Sequence, residues 1–480
     1  MYSMMPAALN TPGENRMRLK SLVLGLLLAL PATAALGSPA PSTPPLAVPG
    51  LAESHLAPEF WLDTLAHGDR VVLDRAAIDA QNARMVAGDP SIHDLSALPA
   101  RIDGARVRDW IEGLASLPTQ TVYDEHGAAV AADVLAGIGA NTNLDQVPAD
   151  QATRYGMVLR RADLRAFPTA LRVFRSAGDS DIDRFQESAL FPGDPVAVLH
   201  ESADGEWLFV LSQRYAAWIR KEQVAEGGRD QVLDWGDGQP YLVVTGATAT
   251  TVHTPEAPQV SGVQLEMGVR VPRLADWPAN RQVNGQMASA GYVIELPVRG
   301  DDGRLAFAPA LLPRSADVSD DYLPLTEANL VRQSFKFLGE RYGWGHSYNT
   351  RDCSGFVSEV YRSFGVLLPR NTSAQSVTPV LNRLELGPGV DHEARVQALR
   401  EARTGDLVYI PGHVMMVLGH VDGEPVAIHD TSGMSWLPEG AGELQRLHLN
   451  GVVVTPILPM MSNATTPTVD RITAIQRIRP

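Results

Sequence analysis

The chain contains one cysteine in 480 residues, Cys353, and it stands at the start of a predicted helix. Asp352 is a suitable N-cap, and Gly365 marks the expected end. A thiol in the first helical turn lies near unpaired N–H groups, which favour the nucleophilic thiolate. A lone cysteine is otherwise usually a small buried apolar side chain, and this stretch alone leaves both interpretations open. The helical face is formed by Phe356, Val357, Val360, Tyr361 and Phe364.

Two histidines follow on predicted strands in an order that suits a cysteine hydrolase. His413 opens the strand 413–418 and His429 ends the strand 425–429, with a turn expected over 419–425. Such an enzyme needs a base for the thiol and a third group that holds the base. Adjacent antiparallel strands would bring both imidazoles to Cys353, which favours the functional interpretation. The remaining histidines near this region, His392, His420 and His448, are interpreted as ordinary side chains.

Composition excludes several classes of partner. The formal net charge is −15, which argues against a nucleic-acid partner and against adhesion to anionic lipid. Hydrophobic residues make up 45% and charged residues 20%, which is typical of globular proteins. No cluster of His, Cys and carboxylate residues has the spacing of metal ligands, so no metal or other cofactor is predicted.

The first 37 residues have the pattern of a signal peptide. Arg16, Arg18 and Lys20 precede a short apolar run, 22–30, which is followed by small residues at 31–35. Nine apolar residues are too few to cross a bilayer, so no integral membrane span is expected. We therefore expect an exported protein, periplasmic or secreted, whose single cysteine is a free thiol.

The rest of the chain divides by composition and periodicity. A Pro-rich and Ala-rich linker covers 38–57, and helical patterns over 65–85 and 105–117 indicate a helical N-terminal domain at 58–154. Short strands, with a hairpin at Asp204-Gly205, predict a small β-barrel at 155–230 and a second one at 231–316. The catalytic region follows at 317–461, and 462–480 is expected to be a polar tail.

Six short motifs follow one another in the catalytic region: Tyr342-Gly343-Trp344-Gly345, Asp352-Cys353-Ser354-Gly355-Phe356, Leu368-Pro369-Arg370, Gly405-Asp406-Leu407, His413-Val414 and Ile428-His429. Together they resemble the motif series of the NlpC/P60 cysteine peptidases, over roughly 326–456. The first barrel is similar to the bacterial SH3-type domains that precede this domain in some members, and 58–154 resembles the family's N-terminal stabilising domain.

The resemblance implies an α+β fold: a papain-like catalytic domain, preceded by two small SH3-like β-barrels and a mainly helical N-terminal domain. It implies that Cys353 attacks, that His413 is the base and that His429 orients it. The implied substrate is a peptidoglycan (murein) stem peptide, cleaved between γ-D-glutamate and a diamino acid. One departure is His346, where the family usually has glycine.

The resemblance also implies a pocket for a free α-amine, that of an N-terminal L-Ala. Its residues would be Tyr342, Asp352 and Ser354, with Tyr215 of the first barrel closing the pocket. Two alternatives remain open. One is an N-acetylmuramoyl-L-alanine amidase on the same core, and the other is a non-catalytic cell-wall-binding scaffold, which the ordered Cys353–His413–His429 series disfavours.

Overall fold

The computed structural model describes residues 48–278, 280–438, 440 and 442–479. The predicted signal peptide and most of the predicted linker lie outside these ranges. Within them, no helix has the length and apolar character that crossing a bilayer requires. The helices of this part of the chain are α1 Pro58–Thr64, α2 Arg75–Gly88, α3 Gly104–Leu114, α4 Ala132–Asn141, α5 Arg229–Leu233, α6 Glu327–Phe335, α7 Cys353–Arg362, α8 Thr372–Val377 and α9 His392–Arg400.

A seven-stranded antiparallel sheet occupies the region of the first predicted barrel. The predicted hairpin at Asp204-Gly205 is present, and Gly205 takes the positive φ of 72° that this turn requires. Its strands are β1 Arg154–Val158, β2 Ala162–Arg165, β3 Gln186–Leu190, β4 Pro195–Glu201, β5 Trp207–Leu211, β6 Ala216–Arg220 and β7 Val224–Gly227. They pair in the order β7-β1-β4-β5-β6-β2-β3.

The next region contains smaller sheets around one apolar core, to which Leu242, Leu265 and Ile294 belong. One sheet has three strands and the others have two. Whether this region is a second SH3-like domain remains a prediction. Its strands are Tyr241–Val244, Thr248–Thr250, Gln264–Glu266, Arg270–Pro272, Gln282–Val283, Gln286–Met287, Gly291–Arg299, Leu305–Pro313 and Val318–Ser319.

A six-stranded antiparallel sheet carries the two predicted histidines, and its strands pair in the order β8-β13-β9-β10-β11-β12. As predicted, His413 and His429 lie on adjacent antiparallel strands. Their turn is only Asp422-Gly423, both with positive φ, which is tighter than the predicted 419–425. The strands are β8 Asn382–Glu385, β9 Leu407–Ile410, β10 His413–Val421, β11 Glu424–Thr431, β12 Gly451–Pro456 and β13 Ala474–Arg477.

Helix α7 lies against this sheet and begins where the sequence predicted. Asp352 caps it by accepting a hydrogen bond from the Gly355 N–H, and its apolar face is fully buried. Phe356 and Val360 share one core with Met416 and Ile428 of the sheet. Burying each such side chain contributes about 1.5–3 kcal/mol, which fixes the start of the helix relative to β10 and β11.

The predicted tail at 462–480 is wrong. Ala474, Ile475 and Gln476 are fully buried, and their strand β13 pairs with β8 on one side and β9 on the other. The strand is only four residues long and half polar, so its sequence lacks the apolar run that marks an interior strand. The catalytic fold therefore extends past residue 461.

The helices of 58–154 share the cores of their neighbours. Trp61 and Ile78, from α1 and α2, belong to the core of α7, whereas Val107 and Ile111 of α3 pack with the seven-stranded sheet. The expected helix over 65–85 begins only at 75, because 71–73 is a strand that pairs with 325–326. At 48–57, predicted as linker, a 3-10 helix forms over Glu53–Leu56.

We expect Ile475→Ala to lower the free energy of unfolding by about 2–5 kcal/mol, because it leaves a cavity at a fully buried position. Urea unfolding followed by circular dichroism measures this change. Arg471→Ala, at an exposed position nearby, is the control and should have little effect. Equal stabilities of the two variants would contradict the placement of β13 inside the sheet.

Candidate active site

The thiol of Cys353 lies at the first residue of α7 and is 4% exposed. Its hydrogen-bonding partner is the Thr372 hydroxyl, with Sγ and Oγ1 3.7 Å apart. The main chain of Val414, the residue after His413, also bonds the sulfur. The packing of α7 on β10 therefore brings the nucleophile candidate to the start of the strand that carries the base candidate.

Burial raises the pKa of the Cys353 thiol to about 12, and the Asp352 carboxylate raises it further, while the Thr372 hydroxyl opposes both. Burial lowers the pKa of His413 to about 4. Both groups are therefore neutral at pH 7 in this state. The unpaired N–H groups at the helix start favour the thiolate, but burial of the thiol outweighs them here.

A chain of hydrogen bonds leads from His413 into the protein. Nε2 of His413 lies 2.7 Å from Nδ1 of His429, and Nε2 of His429 lies 2.8 Å from Oγ1 of Thr455. His429 is 2% exposed and Thr455 is fully buried. Burial lowers the pKa of His429 well below its usual value, with a smaller contribution from His413. His429 is thus a neutral imidazole held at both ring nitrogens.

This chain fixes the tautomers if His413 acts as a base. Nδ1 of His413 must then be unprotonated, so its Nε2–H donates to His429 Nδ1. His429 must in turn carry its proton on Nε2 and donate it to Thr455. The Thr455 hydroxyl therefore selects the His429 tautomer that supports the base.

The Asp352 carboxylate already has partners within the protein. Its carboxylate pairs with Arg370 at 2.8 Å and accepts hydrogen bonds from the N–H groups of Gly345 and Gly355. Burial alone would raise the pKa of Asp352, but the Arg370 guanidinium and these N–H groups outweigh burial and hold the pKa at about 2. Ser354 joins the same cluster, because its hydroxyl accepts from Arg370 at 2.8 Å and donates to Asp352 at 3.2 Å.

His346, the predicted departure from the family pattern, braces this cluster. It takes a left-handed backbone conformation with a φ of 66° and is 3% exposed. Nδ1 accepts from Arg370 at 2.9 Å and Nε2 donates to Glu359 at 3.0 Å. Burial and the Arg370 charge lower its pKa well below the usual value. A Cβ at position 355 would lie 2.6 Å from this ring, so Gly355 must remain glycine.

Strand β3 of the first sheet packs on the loop that precedes Cys353. The Trp344 indole N–H donates to the Gln186 carbonyl at 3.1 Å, and the Gln186 side chain donates to the Gly345 carbonyl at 2.9 Å. Arg370 donates to the Ser188 hydroxyl at 2.7 Å. The first sheet therefore forms one wall of the site.

Tyr342 lies in the loop that precedes Cys353, and Tyr215 lies in the turn before β6 of the first sheet. Tyr342 is 7% exposed, and its pKa is raised by burial and then by Cys353 and Asp352. Its main chain bridges that of Arg351, two residues before Cys353. The Tyr215 hydroxyl donates to the Glu187 carboxylate, and Tyr215 also bonds Asn371, the neighbour of Arg370. Burial raises the pKa of Glu187. Among the residues that the structure describes, the Glu187 carboxylate forms no ion pair with a guanidinium, although the Arg370 and Arg165 charges oppose the rise of its pKa.

The structure brings together all seven predicted residues, and it adds Glu187, Thr372 and Thr455. Thr455 lies within the largely apolar strand β12, and Glu187 lies within β3, so neither carried a chemical signal in sequence. Gln375 is fully buried and braces the loop, because it donates to the Pro369 carbonyl at 2.8 Å. Within the described ranges, no three His, Cys or carboxylate side chains are grouped to hold a metal ion.

A nucleophile at a helix start, with an imidazole oriented by further polar groups, is the arrangement of cysteine hydrolases. Two segments of the chain match known domain families. Residues 339–443 match the NlpC/P60 family, and residues 172–220 match the SH3 domain of the SH3b1 type. The chain carries an NlpC/P60 cysteine-peptidase domain behind an SH3-type domain.

Individual relatives agree with this assignment. A gamma-D-glutamyl-L-lysine dipeptidyl-peptidase from Bacillus cereus is 26% identical over 210 residues, which are 41% of this chain and 56% of that protein. The chain thus spans about half the length of this curated relative. A probable endopeptidase p60 from Listeria seeligeri is 39% identical over 62 residues, 12% of each chain.

The fold also resembles a solved structure. An NlpC/P60 endopeptidase from Photobacterium damselae subsp. piscicida superposes with a TM-score of 0.67 at 17% identity. The match covers 87% of this chain and 94% of that chain. The likeness therefore includes the sheets in front of the catalytic region as well as the region itself.

We expect Thr455→Val to lower kcat roughly tenfold to a hundredfold, because His429 loses the acceptor that selects its tautomer. Thr455→Ser keeps the hydroxyl and should retain most of the turnover. The readout is kcat against pH for both variants, since a merely structural role would not alter the profile. Wild-type kcat and pH profile in Thr455→Val would contradict the role given to Thr455.

Proposed function

We propose that this protein is an exported cysteine endopeptidase of peptidoglycan stem peptides. It hydrolyses the bond between γ-D-glutamate and a diamino acid in peptides with a free N-terminal L-Ala. Cys353 is the nucleophile, His413 the base and His429 the residue that orients the base. The observation that carries this proposal is the hydrogen-bonded chain His413–His429–Thr455 on strands that pack against α7, the helix whose first residue is Cys353.

The reaction follows from the positions of these groups. Cys353 Sγ attacks the γ-carbonyl carbon of the D-glutamyl residue while its proton passes to Nδ1 of His413. The tetrahedral oxyanion is stabilised by main-chain N–H groups at the start of α7. The C–N bond breaks as His413 returns the proton to the leaving amine, and water then hydrolyses the thioester to regenerate the thiol.

Burial raises the pKa of the thiol and lowers that of the His413 imidazole, so it opposes proton transfer between them before substrate binds. The sulfur is bonded to Thr372 rather than to His413 in that state. A bound peptide that turns the thiol toward His413 therefore completes the reactive arrangement. This order keeps a reactive thiolate from accumulating without substrate.

The contacts of β3 support a closed pocket on the acyl side. Gln186 and Ser188 are tied to the loop 344–350 and to Arg370, so a long chain has little room to continue there. A short peptide that ends in a free amine suits such a wall. Intact wall polymer, in which the stem peptide is attached to glycan, does not.

Glu187 is the partner we assign to the free ammonium group. The expectation that Asp352 binds it directly is less suitable, because the Asp352 charge is already neutralised by Arg370 at 2.8 Å. Glu187 has only the Tyr215 phenol as a side-chain hydrogen-bond partner in the part that the structure describes. An ammonium would pair with this carboxylate, while Tyr342 and Ser354 shape the rest of the pocket.

The name of the Bacillus cereus relative, a gamma-D-glutamyl-L-lysine dipeptidyl-peptidase, supports the same bond for this chain. The basic and apolar pattern of residues 1–37 supports export. Murein stem peptides are accordingly the proposed partners, and two SH3-like domains in front of the catalytic domain are the proposed organisation.

We predict rapid cleavage of L-Ala-γ-D-Glu-L-Lys and L-Ala-γ-D-Glu-diaminopimelate, and at least roughly a hundredfold lower kcat/KM when the L-Ala is N-acetylated. Acetylation removes the charge that Glu187 binds and leaves that carboxylate buried without a counter-ion. Mass spectrometry of the products gives both the rates and the cleaved bond. Equal rates on free and acetylated peptides would contradict the closed pocket.

The variant Glu187→Gln tests the amine assignment in the same assay. It should lower kcat/KM for the free peptide and leave the rate on the acetylated peptide unchanged, so that the discrimination between the two collapses. Glu222→Gln, an exposed position near the end of the same sheet, is the matched control and should behave like the wild type. Unchanged discrimination in Glu187→Gln would assign the amine to another group.

A further inference from the structure

A cavity of about 540 Å³ lies between helix α2, the turn joining β5 to β6, and the end of α7. Cys353, His413, Tyr342 and Glu187 do not line it, so it is separate from the active site described above. Its polar side chains include Asn82, His93, Asp194, Arg214, Tyr322 and Arg362.

The cavity and the active site lie on two sides of the same short segments. In the turn joining β5 to β6, Tyr215 reaches Glu187 in the active-site wall, whereas its neighbour Arg214 lines the cavity. After α7, Leu368 lines the cavity while Arg370 binds Asp352. A ligand in the cavity would therefore contact segments that carry active-site residues without entering the cleft.

The two arginines of the cavity differ in their partners. Arg362 pairs with Asp194 at 3.2 Å, but the guanidinium of Arg214 has neither an ion pair nor a hydrogen-bond acceptor among the residues that the structure describes. Burial and the nearby Arg362 charge lower the pKa of Arg214 to about 10. The Arg214 side chain is partly exposed and lines the cavity as an unpaired cation, so a bound anion would pair with it.

We propose that this cavity binds a small molecule with one carboxylate on an aliphatic chain, and that Arg214 anchors the carboxylate. The planar guanidinium matches a carboxylate with two parallel hydrogen bonds. The Asp194 carboxylate and that of Asp94 also line the cavity, which disfavours a doubly charged phosphate. The apolar part of the wall, which suits the aliphatic chain, consists of Val86, Leu95, Leu233, Val366 and Leu368.

The size of the cavity agrees with this class of ligand. Sites for small molecules commonly enclose about 300–1,000 Å³ and combine an apolar wall with a few placed polar groups. The site is independent of the peptidase reaction, and its test does not require turnover. A failure of the proposed substrate assignment would therefore leave the assignment of this cavity unchanged.

The test is a ligand-observed NMR titration of the whole protein with pentanoate, which carries one carboxylate on an apolar chain. We expect saturable transfer from the protein to the pentanoate methyl group. Pentanamide, which has the same shape without charge, should give no saturable signal. Arg214→Gln should weaken pentanoate binding roughly tenfold or more, because a charge-assisted pair of hydrogen bonds is lost.

Arg84→Gln is the matched control, because Arg84 is exposed on the same helix as Asn82 and Val86 but does not line the cavity. It should bind pentanoate like the wild type, and circular dichroism verifies that both variants are folded. Arg214→Lys keeps the charge but not the planar fork and should bind with intermediate affinity. The proposal would be overturned if pentanoate did not bind, or if Arg214→Gln bound it as well as the wild type does. Binding of pentanamide equal to that of pentanoate would also overturn it, as would displacement of pentanoate by inorganic phosphate alone.

Discussion

The buried guanidinium of Arg351 determines how the rest of this structure is arranged around the thiol. It is fully buried, and it pairs with Glu359 at 2.6 Å, with Glu266 at 2.7 Å and with Glu340 at 2.5 Å. These carboxylates come from α7, from the strand Gln264–Glu266 and from the loop after α6. Removing one partner of such a cluster leaves an uncompensated charge and typically costs about 3–5 kcal/mol.

The same cluster also connects to the first sheet, through a residue between β1 and β2. Glu266 also pairs with Arg161, which donates to the carbonyl groups of His346 and Thr350 at 2.8 Å each. The loop before Cys353 is thus held by groups from three distant parts of the chain. It cannot shift without breaking several charge-assisted hydrogen bonds at once. The regions in front of the catalytic sheet are therefore part of the site's scaffold and not only additional binding modules.

The position of Arg351 next to Asp352 carries this constraint into the chemistry. Asp352 caps α7 and is held by Arg370, while His346 joins Arg370 to Glu359. Cys353, the proposed nucleophile, follows directly, so its distance from β10 is set by charge pairs on one side and by apolar packing of α7 on the other. The buried position that gives this precision also raises the thiol pKa to about 12. This raised pKa is the reason why we propose that bound substrate activates the thiol.

Local patterns in the sequence were sufficient for the centre of the site. The helical face after Cys353, the cap Asp352, and the spacing of His413 and His429 are local signals, and each corresponds to an element of the structure. Residues whose role depends on distant neighbours were not predictable in this way. Thr455 matters only because β12 pairs with β11, and Glu187 only because β3 packs on the loop before Cys353.

The errors have the same origin. Strand β13 carries too few apolar residues to signal an interior position, and it is buried because β8 and β9 pair with it on both sides. Residues 71–73 follow a helical pattern in sequence, but pairing with residues 325–326 makes them a strand. Tertiary partners far away in sequence decided both cases.

Trapping the acyl-enzyme tests the central claim most directly. Protein mixed with L-Ala-γ-D-Glu-L-Lys and quenched in acid within the first turnover should gain the mass of one L-Ala-γ-D-Glu acyl group. Peptide mapping should locate that group on Cys353, and Cys353→Ala should show neither the adduct nor any cleavage. Cleavage by Cys353→Ala, or an acyl group on another residue, would contradict the account.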